Sequence, residues 1–373
     1  MKKGWQTKPF EDCIESVKYT RKIQRKDFLD DGQFPIVSQE AEFTNGYWDD
    51  EADVFKVSTP VVIFGDHTQV LKYVDFDFVL GADGVKILPP RDFLRPKFFF
   101  YQLQAANFTS LGYARHYRLL KELEIKYPPL AEQQRIVGLL DEAFEGLATA
   151  KANAEKNLHN ARALFESHLQ SVFTQRGAGW VEKPLGEALV KTETTDPTRS
   201  PQTEFDYIDV SSVSKETLAI EETQRLQGKD APSRARKLVR TNDVLFATIR
   251  PTLRRIAIVP EELDSQVCST GYFVLRAKPD VDHRLVFYFL QTETFMTAME
   301  TLQKGASYPA VTDGDVRSQT IPIPPLKEQK KIASKLQSLR EETQRLARLY
   351  ERKHAALAAL KKSLLHQAFT GAL

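Results

Sequence analysis

The chain has 373 residues, of which 42% are hydrophobic and 27% charged, and its formal net charge at pH 7 is +2. This length predicts two or three domains, and a charge so close to zero is by itself no argument for a nucleic-acid partner. No apolar run approaches a membrane span, and no apolar stretch follows the basic start of the chain, so we expect neither a transmembrane helix nor a signal peptide. Cys13 and Cys268 lie in different halves and suggest reduced thiols in a cytoplasmic protein, without a metal or disulfide framework.

The first globular segment, residues 1–127, is predicted to mix strands and helices. Runs of β-branched and aromatic residues at 60–64 and 76–80 predict strands, and a short helix is expected near 97–106. Five basic side chains without an acid among them fall within nine residues: Lys18, Arg21, Lys22, Arg25 and Lys26. A local patch of this kind can bind phosphate while the rest of the surface stays acidic.

Residues 128–178 are predicted to form a long helix. They open with Pro128-Pro129-Leu130-Ala131-Glu132-Gln133-Gln134-Arg135-Ile136, and the prolines set the start because they cannot continue a helix from upstream. Mostly apolar residues then recur every seven positions in two rows, Ile136, Ala143, Ala150, Asn157 and Leu164, and Leu140, Leu147, Ala154 and Ala161. Such spacing is typical of a coiled coil. The helix would run about 45 residues, or roughly 68 Å.

The second globular segment, residues 179–320, is also predicted to be mixed. Strands are expected at 206–210, 243–247, 256–259 and 271–275, with helical structure near 284–299. Between residues 225 and 255 there are nine basic side chains and two acids, Asp230 and Asp243. Two basic loops, Arg234-Ala235-Arg236-Lys237 and Ile249-Arg250-Pro251-Thr252-Leu253-Arg254-Arg255, flank a predicted strand that would hold them on one rim. Arginine forks of this kind contact phosphates or guanine edges.

Residues 321–373 repeat the earlier helix. Pro324-Pro325-Leu326-Lys327-Glu328-Gln329-Lys330-Lys331-Ile332 matches the opening at 128, with an offset of 324 − 128 = 196. An upstream echo, Gly4-Trp5 and Gly179-Trp180, has an offset of 175. Small residues on the first helix face larger ones on the second, which favours an antiparallel pair of the two helices. The alternative is that each long helix packs on its own domain.

A further pair of loops precedes the two repeated openings. The segments Gly112-Tyr113-Ala114-Arg115-His116-Tyr117-Arg118 and Gly305-Ala306-Ser307-Tyr308-Pro309-Ala310-Val311 combine glycine, aromatic and polar residues at matching places. This composition suits a surface that touches bases or sugar-phosphate. No phosphate loop, no amino-methyltransferase tetrad and no metal-binding histidine spacing is found in the sequence, so we expect no catalytic, cofactor or metal site in this chain.

These features resemble the specificity (S) subunit of type I restriction-modification enzymes over essentially the whole chain. The resemblance rests on the twin Pro-Pro-Leu-x-Glu-Gln-x-x-Ile openings at 128 and 324, each followed by a long helix that ends in Phe-Thr. The two Gly-Trp pairs support it, as do Tyr207-Ile208-Asp209-Val210, Asp243-Val244-Leu245-Phe246-Ala247 and Cys268-Ser269-Thr270-Gly271-Tyr272-Phe273. The first half lacks clear counterparts of the last three motifs and is the more divergent one.

The resemblance implies an α+β fold with a pseudo-twofold internal repeat. Two mixed α/β target recognition domains, residues 1–127 and 179–320, would be separated by two conserved spacer helices, 128–178 and 321–373, that form an antiparallel coiled coil. Each recognition domain would read one half of a bipartite, asymmetric double-stranded DNA site. The subunit would be non-catalytic and would recruit two methyltransferase (M) subunits, which use S-adenosylmethionine, and restriction (R) subunits, which use ATP and Mg²⁺.

The expected DNA contacts are basic residues of the two globular segments: Lys18, Arg21, Lys22, Arg25, Arg115, Arg118, Arg234, Arg236, Lys237, Arg250, Arg254 and Arg255. The competing hypothesis is a coiled-coil adaptor with two protein-binding domains and no nucleic-acid role. Salt-dependent binding to duplex DNA, in the presence of the methyltransferase partner, would separate the two hypotheses.

Overall fold

The computed structural model describes residues 4–370 except 82, 83, 107, 109–111, 113 and 176. The chain divides into two compact units. Unit 1 comprises residues 1–155 and 351–373, and unit 2 comprises residues 156–350. Over the described residues, no helix is both long and apolar enough to cross a membrane.

Unit 1 contains small sheets and two short helices. Its strands are β1 (Gln6–Pro9), β2 (Lys22–Ile23), β3 (Phe34–Val37), β4 (Tyr47–Trp48), β5 (Val54–Phe55), β6 (Val61–Gly65), β7 (Leu71–Val74), β8 (Phe78–Gly81), β9 (Val85–Leu88) and β10 (Glu124–Tyr127). Its helices are α1 (Pro96–Ala105) and α2 (Tyr117–Lys121), and helix α3 (Leu130–Thr174) follows. The sheet orders are β2-β8-β3-β4 with β5 on β8, β7-β6-β9, and β1-β10.

Unit 2 repeats this mixture of strands and helices. They are β11 (Val181–Pro184), β12 (Leu189–Val190), β13 (Glu204–Ile208), β14 (Gln224–Gln227), β15 (Ala235–Leu238), β16 (Val244–Ala247), β17 (Ile256–Ile258), β18 (Val267–Ser269), β19 (Tyr272–Ala277) and β20 (Thr320–Ile323). The helices are α4 (His283–Phe289), α5 (Glu293–Leu302), α6 (Asp313–Arg317) and the start of α7 (Leu326–Thr370). The sheet orders are β14-β13-β18-β15, β12-β19-β16-β17 and β11-β20.

One central strand in each unit serves two cores at once. In β6, Val62 and Phe64 belong to one core cluster and Val61 and Ile63 to another. In β16, Val244 and Phe246 face one core cluster while Leu245 and Ala247 face a second. Successive side chains of a strand point to opposite faces, so a strand covered on both faces must be apolar at every position. Both runs were predicted as strands from the sequence, at 60–64 and 243–247.

The predicted helix near 284–299 is two helices in the structure. Helix α4 ends at Phe289, and α5 begins after Thr292, whose hydroxyl accepts a hydrogen bond from the Phe295 amide at 3.3 Å. This hydroxyl caps the start of a new helix, because the first amides of a helix have no partner within it. The side chain of Thr292 is buried and also donates to the Phe289 carbonyl at 2.8 Å.

The repeated glutamine fastens each long helix to the strands and helices of its own unit. The Gln133 amide oxygen accepts from the Arg95 amide at 2.8 Å, and its NH₂ group donates to the carbonyls of Phe93 and Pro128, both at 2.8 Å. Gln329 makes the same three bonds, to the Asp282 amide at 2.8 Å and to the carbonyls of Asp280 and Pro324 at 3.0 and 2.9 Å.

Both glutamines are almost fully buried, with 0% and 1% relative exposure. A buried amide must find partners, and here it joins the loop before α1 or α4 to the proline that precedes α3 or α7. We call this arrangement the glutamine clamp. It explains why the glutamine recurs in both openings.

The Gly-Trp repeat also has a structural role. Gly4 and Gly179 have φ angles of +95° and +81°, a region that residues with a Cβ rarely adopt. A Cβ on Gly179 would lie 3.4 Å from Pro325, and one on Gly4 would lie 4.0 Å from Pro129. Beside these glycines, β1 pairs with β10 and β11 pairs with β20, both antiparallel. The strand that enters each unit is thus paired with the strand that leaves it for the long helix.

Both long helices span 45 residues, and within unit 1 they run antiparallel, as predicted. His354 lies 3.5 Å from Glu155, and the Lys361 ammonium lies 5.0 Å from the Phe144 ring centroid. As the number rises along α7 it falls along α3, which defines the antiparallel direction. In unit 2, Leu169 and Phe173 near the end of α3 share a core with Leu336 near the start of α7.

The heptad row that starts at Ile136 is wrong at its last two positions, because Asn157 is exposed as well as Leu164. Leu164, predicted to lie in the helix seam, and Leu360, its counterpart at an offset of 196 in the second copy, are 61% and 48% exposed. Each stands four heptads after the first residue of its row, Ile136 or Ile332. A straight helix drifts by about 20° per heptad against a seven-residue repeat, or about 80° over four heptads. That drift carries both leucines out of the seam.

Candidate nucleic-acid interface

Four segments of unit 2 meet at one edge through backbone hydrogen bonds. The Thr270 amide donates to the Arg234 carbonyl at 2.9 Å, and the Thr248 amide donates to the Gly271 carbonyl at 2.9 Å. Next along the edge, the Arg250 amide donates to the Pro309 carbonyl at 2.7 Å. We call this edge the unit 2 rim, made of residues 234, 248–255, 270–271 and 307–309. It joins one predicted basic loop, the first residue of the other and the glycine-aromatic loop at 305–311.

Arg250 and Tyr308 form an exposed element of the unit 2 rim. The Arg250 guanidinium carbon lies 5.0 Å from the centroid of the Tyr308 ring, and its Nη2 donates to the Ser307 carbonyl at 3.4 Å. Tyr308 is 72% exposed. An arginine beside an accessible ring offers fork donors for a phosphate or a base edge and a flat face for stacking.

The backbone around Arg250 is held in an uncommon conformation. Arg250 and Arg254 have φ angles of 50° and 52°, on either side of a short 3₁₀ turn at Pro251–Leu253. A left-handed conformation costs free energy for a residue with a Cβ, and it is most often retained at functional sites or in tight turns. Pro251, inside that turn, is buried.

The neighbouring arginines are more strongly tied to the fold. Arg254 Nη2 forms an ion pair with Glu293 of α5. Arg255 Nη1 donates to the Val213 carbonyl and, at 3.3 Å, to the Ser211 carbonyl. Arg255 therefore fixes the loop that follows β13, while Arg254 retains a side chain that is 38% exposed.

The predicted loop 234–237 is mostly a strand, because 235–238 is β15 and pairs with β18. Arg234 is exposed. Arg236 donates to its own strand at the Ala235 carbonyl, 2.8 Å away, and lies 3.6 Å from Asp196. The Lys237 ammonium donates to the Tyr272 carbonyl at 2.6 Å and to Asp313 at 3.1 Å, and its side chain is only 20% exposed. The structure thus places Arg234 on the surface and uses Arg236 and Lys237 within unit 2.

In unit 1 the basic run 18–26 lies around β2. Lys18, Arg21 and Arg25 are exposed. Arg25 forms an ion pair with Glu40 at 3.0 Å, and Arg21 lies 3.6 Å from Asp53, yet their side chains remain 78% and 68% exposed. The exposed Arg25–Glu40 pair contributes little to stability, so a phosphate can compete for Arg25, whereas the partner of Arg21 is the buried Asp53.

Aromatic rings connect this run with the loop at 112–118. The Lys22 ammonium lies 5.5 Å from the Tyr19 ring centroid, and the Tyr19 hydroxyl accepts from the Ile87 amide at 3.2 Å. Next to Ile87, the Lys86 ammonium lies 5.1 Å from the ring centroid of Tyr117. We call Tyr19, Lys22, Lys86 and Tyr117 the unit 1 patch. Burial raises the pKa of the Tyr117 phenol.

A buried carboxylate fixes the loop that carries Arg115 and Arg118. Asp66 accepts the Tyr117 amide at 2.7 Å through its side chain, and its carbonyl accepts the His116 amide at 2.7 Å. Arg115 and Arg118 are both exposed on either side of this anchor. Tyr113 of the same loop lies outside the described residues.

Sequence reasoning missed Tyr19, Lys86 and the Asp66 anchor. A lysine between the buried residues Val85 and Ile87 is an outward position of a strand, and this alternation was the signal available for Lys86. Cys13 and Cys268 are buried and form no disulfide with each other. Burial raises the pKa of Cys13 to about 11 and that of Cys268 to about 12. Neither thiol is placed to act in the candidate interface.

A family model described as the type I restriction modification DNA specificity domain matches residues 2–157 and 179–351 of this chain. The chain is 27% identical over 334 residues to a putative type I restriction enzyme MjaX specificity subunit of Methanocaldococcus jannaschii, an alignment that covers 79% of this chain and 72% of that protein.

Two solved structures are similar. A chain from a structural study of complex assembly and conformational transition in the type I R-M system aligns over 98% of both chains with a TM-score of 0.72 and 19% identity, and this likeness confirms the fold. An HsdS subunit from Thermoanaerobacter tengcongensis is 41% identical over 47% of this chain and 45% of that chain, with a TM-score of 0.44.

Proposed function

Because this chain belongs to the type I restriction-modification DNA specificity family, we propose that it reads a bipartite, asymmetric duplex site, one half-site with each unit. It is a DNA target-recognition subunit and the non-catalytic component of its system. The observation that carries the proposal is the duplicated frame. The glutamine clamp occurs once in each unit, and each unit also presents a cationic, aromatic surface.

The two surfaces differ in chemistry, which supports an asymmetric site. The unit 2 rim offers the Arg250 fork beside Tyr308, which suits a base edge or a stacked base. The unit 1 patch offers lysines over tyrosine rings, which suit a phosphate as point charges. Arg21, Arg25, Arg115, Arg118 and Arg234 would add phosphate contacts that fix the position of each unit on the duplex.

The long helices are proposed to recruit the catalytic partners. Leu164 and Leu360 occupy the same position of the repeat, since 360 − 164 = 196, and both are exposed. An exposed large apolar residue at the same place in both copies suits two copies of one partner. We propose two methyltransferase subunits there. S-adenosylmethionine would be bound by them, ATP and Mg²⁺ by restriction subunits, and the assembly would work in the cytoplasm.

The test is to produce the chain together with its methyltransferase subunit in a host without DNA methylation and to map the methylated bases. We expect two short half-sites of different sequence separated by a fixed gap of unspecified bases. One continuous motif would refute the two-half-site proposal. A coiled-coil adaptor would give neither methylation at defined sites nor salt-dependent binding of duplex DNA by the assembled proteins.

A matched insertion in the helices tests whether they set the gap. One heptad added to α3 and one to α7, in facing layers, lengthens the pair by roughly 10 Å at 1.5 Å per residue. With about 3.4 Å per base pair, this corresponds to about 3 base pairs. We expect an active variant to methylate the same two half-sites with a longer gap. Changed half-site bases with an unchanged gap would contradict the role of the helices.

A further inference from the structure

Asp66 of unit 1 is a buried carboxylate beside residues that are proposed to bind DNA. The residue is only 2% exposed, and its Oδ2 atom lies 3.9 Å from the Lys86 ammonium of the unit 1 patch. Burial removes water from a carboxylate, and a negative charge close to a DNA-binding surface repels phosphates. The presence of Asp66 at this place therefore points to a role that outweighs both costs.

The backbone that carries Asp66 is held from several directions. Asp66 directly follows β6, the strand that two cores cover, and its amide donates to the Gly84 carbonyl at 2.7 Å. The next residues are bonded to another part of unit 1, because the His67 amide donates to Gln39 Oε1 at 3.1 Å and the Thr68 hydroxyl donates to the Gln39 carbonyl. The carboxylate is thus mounted on a fixed turn.

Asp66 binds the middle of the segment 115–118. Its Oδ1 atom accepts from the Tyr117 amide at 2.7 Å, and its carbonyl accepts from the His116 amide at 2.7 Å and lies 3.0 Å from the ring atom Nδ1 of His116. His116 is 1% exposed, whereas Arg115 and Arg118 at the two ends of the segment are exposed. Among the residues that the structure describes, neither arginine forms an ion pair. The segment therefore has an anchored centre and two exposed cations at its ends.

The same carboxylate is also next to the lysine of the unit 1 patch. The Lys86 ammonium lies between Asp66 Oδ2, at 3.9 Å, and the Tyr117 ring, whose centroid is 5.1 Å away. The Lys86 side chain is 33% exposed and that of Asp66 only 4%. A phosphate can therefore reach the ammonium, while the carboxylate behind it is covered.

We propose that Asp66 is a positioning residue for DNA binding by unit 1, and that it acts as the hydrogen-bond acceptor that holds Arg115 and Arg118 where they contact phosphates of one half-site. The inference rests on the proposed function. An arginine on a segment that is already ordered loses less conformational freedom on binding than one on a mobile loop. Because the accepting oxygen holds the segment, a neutral acceptor of the same shape can replace the carboxylate.

The test compares Asp66→Asn, which keeps an accepting oxygen, with Asp66→Ala, which does not. Both remove the same negative charge, so a purely electrostatic role predicts that both variants bind DNA more tightly than the natural chain. The positioning role predicts that the two variants differ. Asp66→Asn should bind at least as tightly as the natural chain, and Asp66→Ala should bind more weakly.

The measurement is the affinity of the assembled methyltransferase for its cognate duplex at several salt concentrations. One phosphate contact contributes a slope of about −0.9 in log affinity against log salt, which amounts to about eightfold in affinity at about 0.1 M salt. We expect Asp66→Ala to lose at least this factor and to show a salt slope smaller by about 1 or 2. Val74→Ala, a change in a core of the same unit, should lower the melting temperature and leave affinity and slope unchanged while the protein is folded.

A second background shows whether Asp66 acts through the two arginines. Arg115→Gln and Arg118→Gln together change only exposed residues, and Asp66→Ala should cause no further loss of affinity in that background. Equal affinity of Asp66→Ala and Asp66→Asn, or an undiminished effect of Asp66→Ala in that background, would overturn the proposal. So would unchanged affinity and salt slope of the double arginine variant, which decides the matter even if Asp66→Ala does not fold. If the assembled natural protein shows no salt-dependent binding of duplex DNA, the proposed function itself fails, which is a different result.

Discussion

Arg250 and Arg255 lie five residues apart in one basic loop, but the structure assigns them different roles. Arg255 donates to the Val213 and Ser211 carbonyls of unit 2, and Arg250 lies beside the exposed ring of Tyr308. We therefore predict that Arg255→Ala mainly lowers stability and that Arg250→Ala mainly lowers DNA affinity. Alanine retains a Cβ, so the left-handed backbone at position 250 is equally costly before and after that substitution.

The magnitudes follow from the contacts. Hydrogen bonds from a charged donor contribute about 2 kcal/mol, and a domain of this size loses roughly 2–4 °C of melting temperature per kcal/mol. Unit 2 has 350 − 156 + 1 = 195 residues, so Arg255→Ala should lower its melting temperature by about 4–8 °C. For Arg250 an exposed cation–π contact of about 0.5–1 kcal/mol gives roughly 1–4 °C. Loss of a base or phosphate contact should weaken DNA binding by about 1–3 kcal/mol.

The assay measures the affinity of the assembled methyltransferase for a labelled cognate duplex at several salt concentrations, with melting curves of each variant. If Arg250 reads a base, cognate affinity falls and discrimination at one base pair relaxes. If it contacts a phosphate, all duplexes lose affinity and the salt slope decreases by about 1. The reverse order, with Arg255→Ala impairing DNA binding more and stability less than Arg250→Ala, would refute the assignment.

Two further predictions concern the frame. Replacing the clamp glutamine, as Gln329→Leu or Gln133→Leu, leaves one buried amide and two carbonyls without partners, and it should lower the free energy of unfolding by roughly 2–4 kcal/mol. The control is Gln134→Leu at an exposed neighbouring position, which should cost less than about 1 kcal/mol. A melting temperature equal to that of the natural chain in either clamp variant would contradict the role of the clamp. Burial opposes ionisation of Asp282, but its hydrogen bonds with Arg284 prevail and hold its pKa below the ordinary value. The stabilisation of the folded state by this carboxylate is therefore present above about pH 4 and is lost as the pH falls through the folded-state pKa. Asp282→Asn should therefore be less stable than the natural chain at pH 7, with the difference in melting temperature narrowing below about pH 4; a difference that stays constant down to pH 3 would show that the carboxylate charge is not involved.

Structural features that depend on neighbouring residues could be predicted from the sequence. The paired prolines at 128 and 324 lack the backbone N–H that an upstream helix would need, and both long helices begin directly after them. The strands β6 and β16 are apolar along their length because two cores cover them, and both runs were predicted as strands. The repeat itself could be read without any structure, since it needs only the comparison of one half of the chain with the other.

The sequence could not predict in the same way which basic side chains are exposed and which are bonded within the fold. A run of lysines and arginines in the sequence does not show whether a carbonyl or a carboxylate lies within hydrogen-bonding distance in the fold. Lys237 meets the Tyr272 carbonyl 35 residues further along, and Arg250 meets Tyr308 after 58 residues, since 308 − 250 = 58. Both pairs form only when strands from distant parts of unit 2 are aligned. Charge patterns therefore did not separate the exposed basic residues, such as Arg234 and Arg250, from those that support the fold, such as Lys237.

The separation of frame and surface suggests how such a chain can change its target. The glutamine clamp and the paired entry and exit strands are identical in the two units, yet the unit 1 patch and the unit 2 rim share no residue pattern. The clamp bonds reach no residue of the patch or the rim, so exposed residues such as Arg250 and Tyr308 can vary without breaking them. Arg255 and Lys237 cannot vary as freely, because each lies in or beside the basic loops and also donates hydrogen bonds to backbone carbonyls of buried residues. We therefore expect substitutions at Arg250, Tyr308 and Arg234 to change specificity with less loss of stability than substitutions at Arg255 or Lys237.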